Sequence, residues 1–164
     1  MGLLEAAKRI HDIYPNVKFK LVGDGEFMED CKNFISSNGL QSTVSLEGWQ
    51  TNVYRYYAES DIFAVPSLYE AFGLMFLECG FYELPVCSTT VEGVPEVISN
   101  GETGLLCEPN NIEKFTDNII SLIKNPTLRK SMGKAAHKRV TELFNSQNMI
   151  DSYVKLYSEF LSRE

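Results

Sequence analysis

Short apolar runs alternate with amphipathic stretches along the chain, and this alternation admits few folds. Strands separated by helices run parallel, and a parallel sheet must be covered on both faces. Residues 1–13 place Leu3, Leu4, Ala7 and Ile10 on one helical face. Residues 17–22 alternate as a strand and end in the tight turn Gly23-Asp24-Gly25. A helix over 27–38 closes at Gly39, and a short strand over 44–46 ends at Gly48. The pattern continues with a helix at 52–59, strand at 62–65, helix at 74–82 and buried strand at 85–88. One or two helical turns follow within 94–99, then a last strand at 104–107. Three helices close the chain: 112–124 after the capping Asn110-Asn111, 126–144 with Pro126 in its first turn, and 146–162 after Asn145. No repeat, linker or low-complexity segment divides it, so residues 1–164 read as a single α/β domain.

The 164 residues suffice for one hydrophobic core, and 44% hydrophobic content argues against disorder. A net charge of −7 disfavours nucleic acid or an anionic membrane as the main partner, since both need a basic face. Cys31, Cys79, Cys87 and Cys107 lack the close spacing of a zinc site or redox pair, and read as reduced, mostly buried thiols. With an amphipathic start and no apolar run near ~18 residues, the expected location is cytoplasmic.

The chemistry concentrates where the strand at 62–65 gives way to the helix beginning at Leu74. Glu70 and Glu78 straddle that junction with seven residues between them, Phe72-Gly73 among these. In open parallel sheets, ligands bind outside the carboxyl ends of strands and at helix N-termini. An ionised carboxylate is a pure acceptor and can grip neighbouring sugar hydroxyls. The amides at Gly73 and Leu74 open the helix and can take an anion, and Gly73 permits close backbone approach. The combination suits a sugar, a phosphate and a ribose along one line. It equally suits Glu70 as a helix cap and Glu78 as a solvated helical residue.

Other signals are weaker. Gly23-Asp24-Gly25 lacks the third glycine of a dinucleotide fingerprint and fits a plain turn. Gly93-Val94-Pro95-Glu96 reads as a helix start or a second close backbone approach. His11 and His137 have no partner nearby in sequence. Tyr153, Leu156, Tyr157, Phe160 and Leu161 form one helical stripe, expected to dock on the domain's own core, or else on a second domain.

Taken in order, Lys20-Leu21-Val22-Gly23-Asp24-Gly25, Val44-Ser45-Leu46-Glu47-Gly48, Asp61-Ile62-Phe63-Ala64-Val65-Pro66-Ser67, Glu70-Ala71-Phe72-Gly73-Leu74 with Glu78, Leu84-Pro85-Val86, Gly93-Val94-Pro95-Glu96-Val97-Ile98 and Asn100-Gly101-Glu102-Thr103-Gly104-Leu105-Leu106 carry a family resemblance. The chain resembles the C-terminal, donor-binding half of the retaining, nucleotide-sugar-dependent glycosyltransferases of GT-B architecture, the group-one glycosyl transferases. The resemblance implies a Rossmann-like parallel sheet with helices on both faces. It implies a nucleoside diphosphate sugar as donor substrate, with no cofactor and no metal. Glu70 would contact the transferred sugar as the catalytic position. The amides near Phe72, Gly73 and Leu74 would hold the sugar and diphosphate, and Glu78 would take the ribose. Backbone at Trp49 and Gln50 would bracket the base, and Gly23 and Gly25 would line the cleft floor.

The family's half opens with a strand bearing an Arg and then a Lys that reach the diphosphate, and this chain starts in the helix after that strand. In the usual 3-2-1-4-5-6 order the missing strand is central. Its loss predicts a gap in the sheet, re-pairing, or dimerisation through exposed edges. The N-terminal, acceptor-binding half is the other implied partner, and in the full-length enzyme it would carry any docking to the membrane inner face. Glu92 stands where the family has the first glycine of Gly-Gly-x-Pro-Glu, and Glu83 where a glycine precedes Leu-Pro-Val. The expectation is a fragment inactive on its own. The alternatives are a degenerate nucleotide-binding or assembly module and an unrelated dinucleotide-binding domain.

Overall fold

The computed structural model describes residues 1–162. Helices and strands follow in the order α1 (Gly2–Ile13), β1 (Phe19–Val22), α2 (Met28–Ser37), β2 (Val44–Gly48), α3 (Tyr54–Glu59), β3 (Phe63–Val65), α4 (Leu74–Phe81), β4 (Val86–Thr89), α5 (Val94–Val97), β5 (Gly104–Cys107), α6 (Ile112–Lys124), α7 (Pro126–Leu143) and α8 (Ser146–Leu161). All the ladders are parallel. Phe19 stands opposite Val44 in the β1–β2 pair, and Val86 lies between Phe63 and Gly104 in the three-stranded sheet β3-β4-β5.

The two sheets are not hydrogen-bonded to each other. Between them runs a cavity of about 940 Å³, walled by residues 17–22 on one side and 62–65 on the other. The layout is therefore β2-β1, a slot, then β3-β4-β5. This is the gap expected when the central position of a 3-2-1-4-5-6 sheet carries no strand. Val17 and Ile62, which precede β1 and β3, pack on the same cluster as Ile120 and Ile123 of α6.

Helix α1 packs on both halves. Leu4 and Ala7 of α1 pack with Ile35, Leu40 and Val44 beside the first sheet. Ala6 and Ile10, on the neighbouring stripe, pack with Cys87, Cys107, Phe115 and Ile119 beside the second. A third cluster under α4 gathers Phe76, Cys79, Leu84, Val86, Val94 and Val97. Burial pushes the thiols of Cys79, Cys87 and Cys107 up, as expected for cysteines used as small hydrophobes.

Of the two asparagines foreseen as caps, Asn111 caps α6, and Asn125 and Asn145 hold the same place before α7 and α8. Asn111, Asn125 and Asn145 accept from the backbone N–H groups of Lys114, Leu128 and Asn148 at 3.0, 3.0 and 2.8 Å. Asn125→Ala leaves the first turn of α7 short of an acceptor. It is expected to cost about 1 kcal/mol in urea unfolding, with the slope unchanged.

The final helix corrects one expectation. None of the residues of α8 is buried, and Tyr153, Leu156, Tyr157, Phe160 and Leu161 all lie exposed. Helical periodicity reports that a face is apolar; it carries no information on what covers that face. Among the described residues no helix is long and apolar enough to cross a membrane.

Candidate functional site

The turns leaving β1 and β2 meet at Gly23 and Gly48, those leaving β3 and β4 meet at Glu70 and Gly93, and the contact between Tyr57 of α3 and Glu78 of α4 joins the two pairs into one rim. The residues foreseen as functional lie in these turns or in the helix that follows. Gly23 leaves β1 with φ of 134° and donates its N–H to the Gly48 carbonyl, at 2.9 Å, at the end of β2. Gly25 takes the Asp24 carboxylate on its own N–H at 2.8 Å. A side chain at either glycine would meet nothing within 4 Å, so this turn faces open space. Both also border the slot between the sheets, whereas Glu70 and Glu78 do not. This cavity is thus an interruption of the sheet, adjoining the rim without containing its carboxylates.

Trp49 and Gln50 follow β2. Trp49 is 77% exposed, which is unusual for so large an apolar group. Gln50 is already committed: its amide donates to the Glu47 carbonyl at 2.6 Å and accepts from Arg55 at 3.2 Å. Its backbone, and the Trp49 ring, are what this turn presents.

The turn from β3 to α4 holds the carboxylate pair. Gly73 is the N-cap of α4 in the left-handed region, φ 78°, where a Cβ would collide with the Phe76 ring. Among the described residues no side chain caps this helix, so the reading of Glu70 as its cap does not hold. The amides opening α4 are left for solvent or an anion. Phe72 turns its ring inward against Phe144, centroids 5.9 Å apart, while Leu74 is exposed.

Glu70 is half-buried and is held by its backbone from the turn after β4. Its N–H donates to the Glu92 carboxylate at 3.2 Å, and its carbonyl accepts from the Gly93 N–H at 3.1 Å. A Cβ at Gly93 would overlap the Ala71 carbonyl and the Phe72 backbone, so only glycine lets the two turns meet. Glu92 itself sits at φ 22°, an uncommon backbone for a residue with a side chain. The Glu70 carboxylate has no hydrogen-bond partner among the described residues. Glu78, on the second turn of α4, is not the solvated residue of the simpler reading. Its Oε2 accepts from the Tyr57 hydroxyl at 2.9 Å, across 21 positions of sequence. That contact went unread in the sequence, where Tyr57 looks like one more apolar residue of a short helix.

Known proteins bear on what such a rim serves. Residues 1–139 match the family described as glycosyl transferases group 1. The chain belongs to the group 1 glycosyl transferases. Within that family it is 34% identical over 146 residues to the N-acetyl-alpha-D-glucosaminyl L-malate synthase of Bacillus anthracis, covering 89% of this chain and 38% of that protein. It is 30% identical over 160 residues to the UDP-Gal:alpha-D-GlcNAc-diphosphoundecaprenol alpha-1,3-galactosyltransferase of Escherichia coli, covering 96% and 41%. The chain thus spans about two-fifths of the length of these relatives. Its fold matches a TarM variant from S. aureus solved with UDP at a TM-score of 0.89, with 24% identity, over 95% of this chain and 32% of that one. HepE from Anabaena, also solved with UDP, matches at 0.86 with 21% identity, over 96% and 44%. The α/β fold with parallel sheets flanked by helices is therefore that of part of a GT-B glycosyltransferase. Among the described residues of this group 1 transferase chain, no three His, Cys, Asp or Glu side chains gather as a metal site.

Proposed function

We propose that this chain is the donor-binding half of a retaining glycosyltransferase that takes its sugar from a nucleoside diphosphate sugar. The observation that carries the reading is the single rim on which Glu70, the uncapped start of α4, Glu78 and the turn after β2 lie together. Along it, Glu70 contacts hydroxyls of the transferred sugar and is the catalytic position. The amides of Phe72, Gly73 and Leu74 receive the diphosphate, where helix partial charge stabilises the departing anion without a metal. Glu78 accepts from the ribose hydroxyls. The backbone at Trp49 and Gln50 brackets the base, and Gly23 and Gly25 form the floor.

The acceptor belongs to a further domain in this proposal, so the chain by itself transfers no sugar. The exposed apolar face of α8 suits contact with such a domain, and the unpaired edges of β1 and β3 offer a route to dimers. The protein works in the cytoplasm, at the membrane inner face when the acceptor is lipid-linked.

Calorimetric titration of the chain with UDP, GDP and ADP and their common sugar conjugates tests the reading. UDP is the first candidate, since it is the nucleotide bound in the similar solved structures. Saturable binding of one base, strengthened or retained with its sugar conjugate, is the expected result. A folded chain that binds none of them would count against a donor site and for a degenerate module.

A further inference from the structure

Helix α3 lies between the turn after β2 and helix α4, and its consecutive tyrosines serve different carboxylates. Tyr56 donates to Glu47 Oε2 at 2.9 Å, and Tyr57 donates to Glu78 Oε2 at 2.9 Å. The Tyr57 ring is fixed. It meets Phe63 edge-on and Tyr82 at a tilt, each with centroids 5.8 Å apart. Phe63 in turn meets Phe76 edge-on at 6.1 Å. The phenol therefore hangs from the same apolar cluster that seats α4. Burial, followed by the Glu78 carboxylate beside it, pushes the Tyr57 hydroxyl well above its ordinary pKa. It stays a donor at any pH at which the protein is used.

A free glutamate on a helix surface samples several rotamers, and gripping a vicinal diol needs one. A phenol held by two aromatic neighbours removes that freedom. It occupies one lone pair of Oε2 and leaves Oε1 and the rest of Oε2 to accept two hydroxyls. We propose that Tyr57 is a positioning residue for the donor nucleoside, orienting the Glu78 carboxylate so that it can accept both ribose hydroxyls at once. The proposal rests on the donor-site reading given above. It adds to that reading a residue outside the Glu70–Glu78 segment and a reason for an aromatic hydroxyl on α3.

The test is a set of calorimetric titrations of UDP and of 2′,3′-dideoxy-UDP into the wild-type chain, Tyr57→Phe, Glu78→Ala and the double variant, with thermal unfolding of each. Tyr57→Phe keeps the ring and its packing. The expected result is UDP binding weakened about fivefold in Tyr57→Phe, with the dideoxy analogue bound equally by both forms. In the Glu78→Ala background the second substitution is expected to change nothing further, because the hydroxyl acts only through that carboxylate. Equal UDP affinity in wild type and Tyr57→Phe overturns the proposal while leaving the donor site standing. Equal weakening for UDP and the dideoxy analogue also overturns it, since the effect would then be structural. Failure of the folded wild-type chain to bind either nucleotide overturns this proposal together with the donor-site reading.

Discussion

Glu78→Ala is expected to weaken nucleotide binding tenfold to a hundredfold, with little change in unfolding temperature. The magnitude follows from removing an ionised acceptor from two hydroxyls, since hydrogen bonds to charged groups are the strong class. The small stability effect follows from position. Glu78 is partly exposed on the second turn of α4, and alanine is the better helix former. One cost remains, the half-buried Tyr57 hydroxyl left without its acceptor. Glu78→Gln isolates that cost, because the amide oxygen can still accept from Tyr57 while the charge is gone. If the alanine variant binds UDP as well as the wild type does, Glu78 is not a nucleoside contact and the proposed arrangement along the rim is wrong. Circular dichroism on the same samples separates lost binding from lost fold.

Phe76→Ala is expected to cost about 4 kcal/mol in chemical unfolding, the range found when a fully buried aromatic is truncated. Phe76 has no exposed surface and stands at the centre of the cluster beneath α4, edge-on to Phe63. It also fills the space under Gly73, where a Cβ would touch its ring. With total stabilities of about 5–15 kcal/mol typical of domains, this one change removes a large share. Its reach extends to the site: the α4 start, Tyr57 and Glu78 all lean on that ring system. Nucleotide affinity should therefore fall even at temperatures where the variant remains folded. A loss under 1 kcal/mol would mean that the cluster collapses around the hole and that α4 is held from elsewhere.

Much of the architecture was legible in the residues, and the gaps have physical causes. Alternating apolar runs and amphipathic stretches located each strand and helix to within a few positions, because periodicity reports burial directly. The strand read at 17–22 pairs only from Phe19, where Val44 first stands opposite. Asn111 was readable as a cap because a cap is a local hydrogen bond; Asn125 and Asn145 make the same local bond and were not read as caps. The slot between β1 and β3 was expected only through the family resemblance, since strand order is not written in local pattern. The Glu70–Glu78 spacing marked the junction, but it could not say whether Glu70 caps α4. That depended on Gly73 adopting a left-handed backbone and on the turn after β4 taking hold of Glu70. The contacts of Tyr57 with Glu78 and of Glu92 with Glu70 escaped for a common reason. Each joins residues some twenty positions apart, which no window of sequence contains. The stripe of α8 was correctly seen as apolar and wrongly expected to be covered by this domain.

The way α1 straddles the two sheets has a kinetic consequence. No backbone hydrogen bond joins β1 to β3, so nothing in the ladders obliges the two halves to open together. Side-chain packing from the two stripes of one twelve-residue helix supplies much of that link. Amide hydrogen exchange should then divide the molecule. The β1–β2 pair would open in partial excursions that leave β3-β4-β5 protected, and the two exchange rates would converge only near global unfolding. Ile10→Ala, which loosens only one of the two stripes, would widen the difference between them. A chain of this design is expected to behave as two folding units clasped in large part by one helix, and its measured cooperativity becomes a reading of how firmly that clasp is closed.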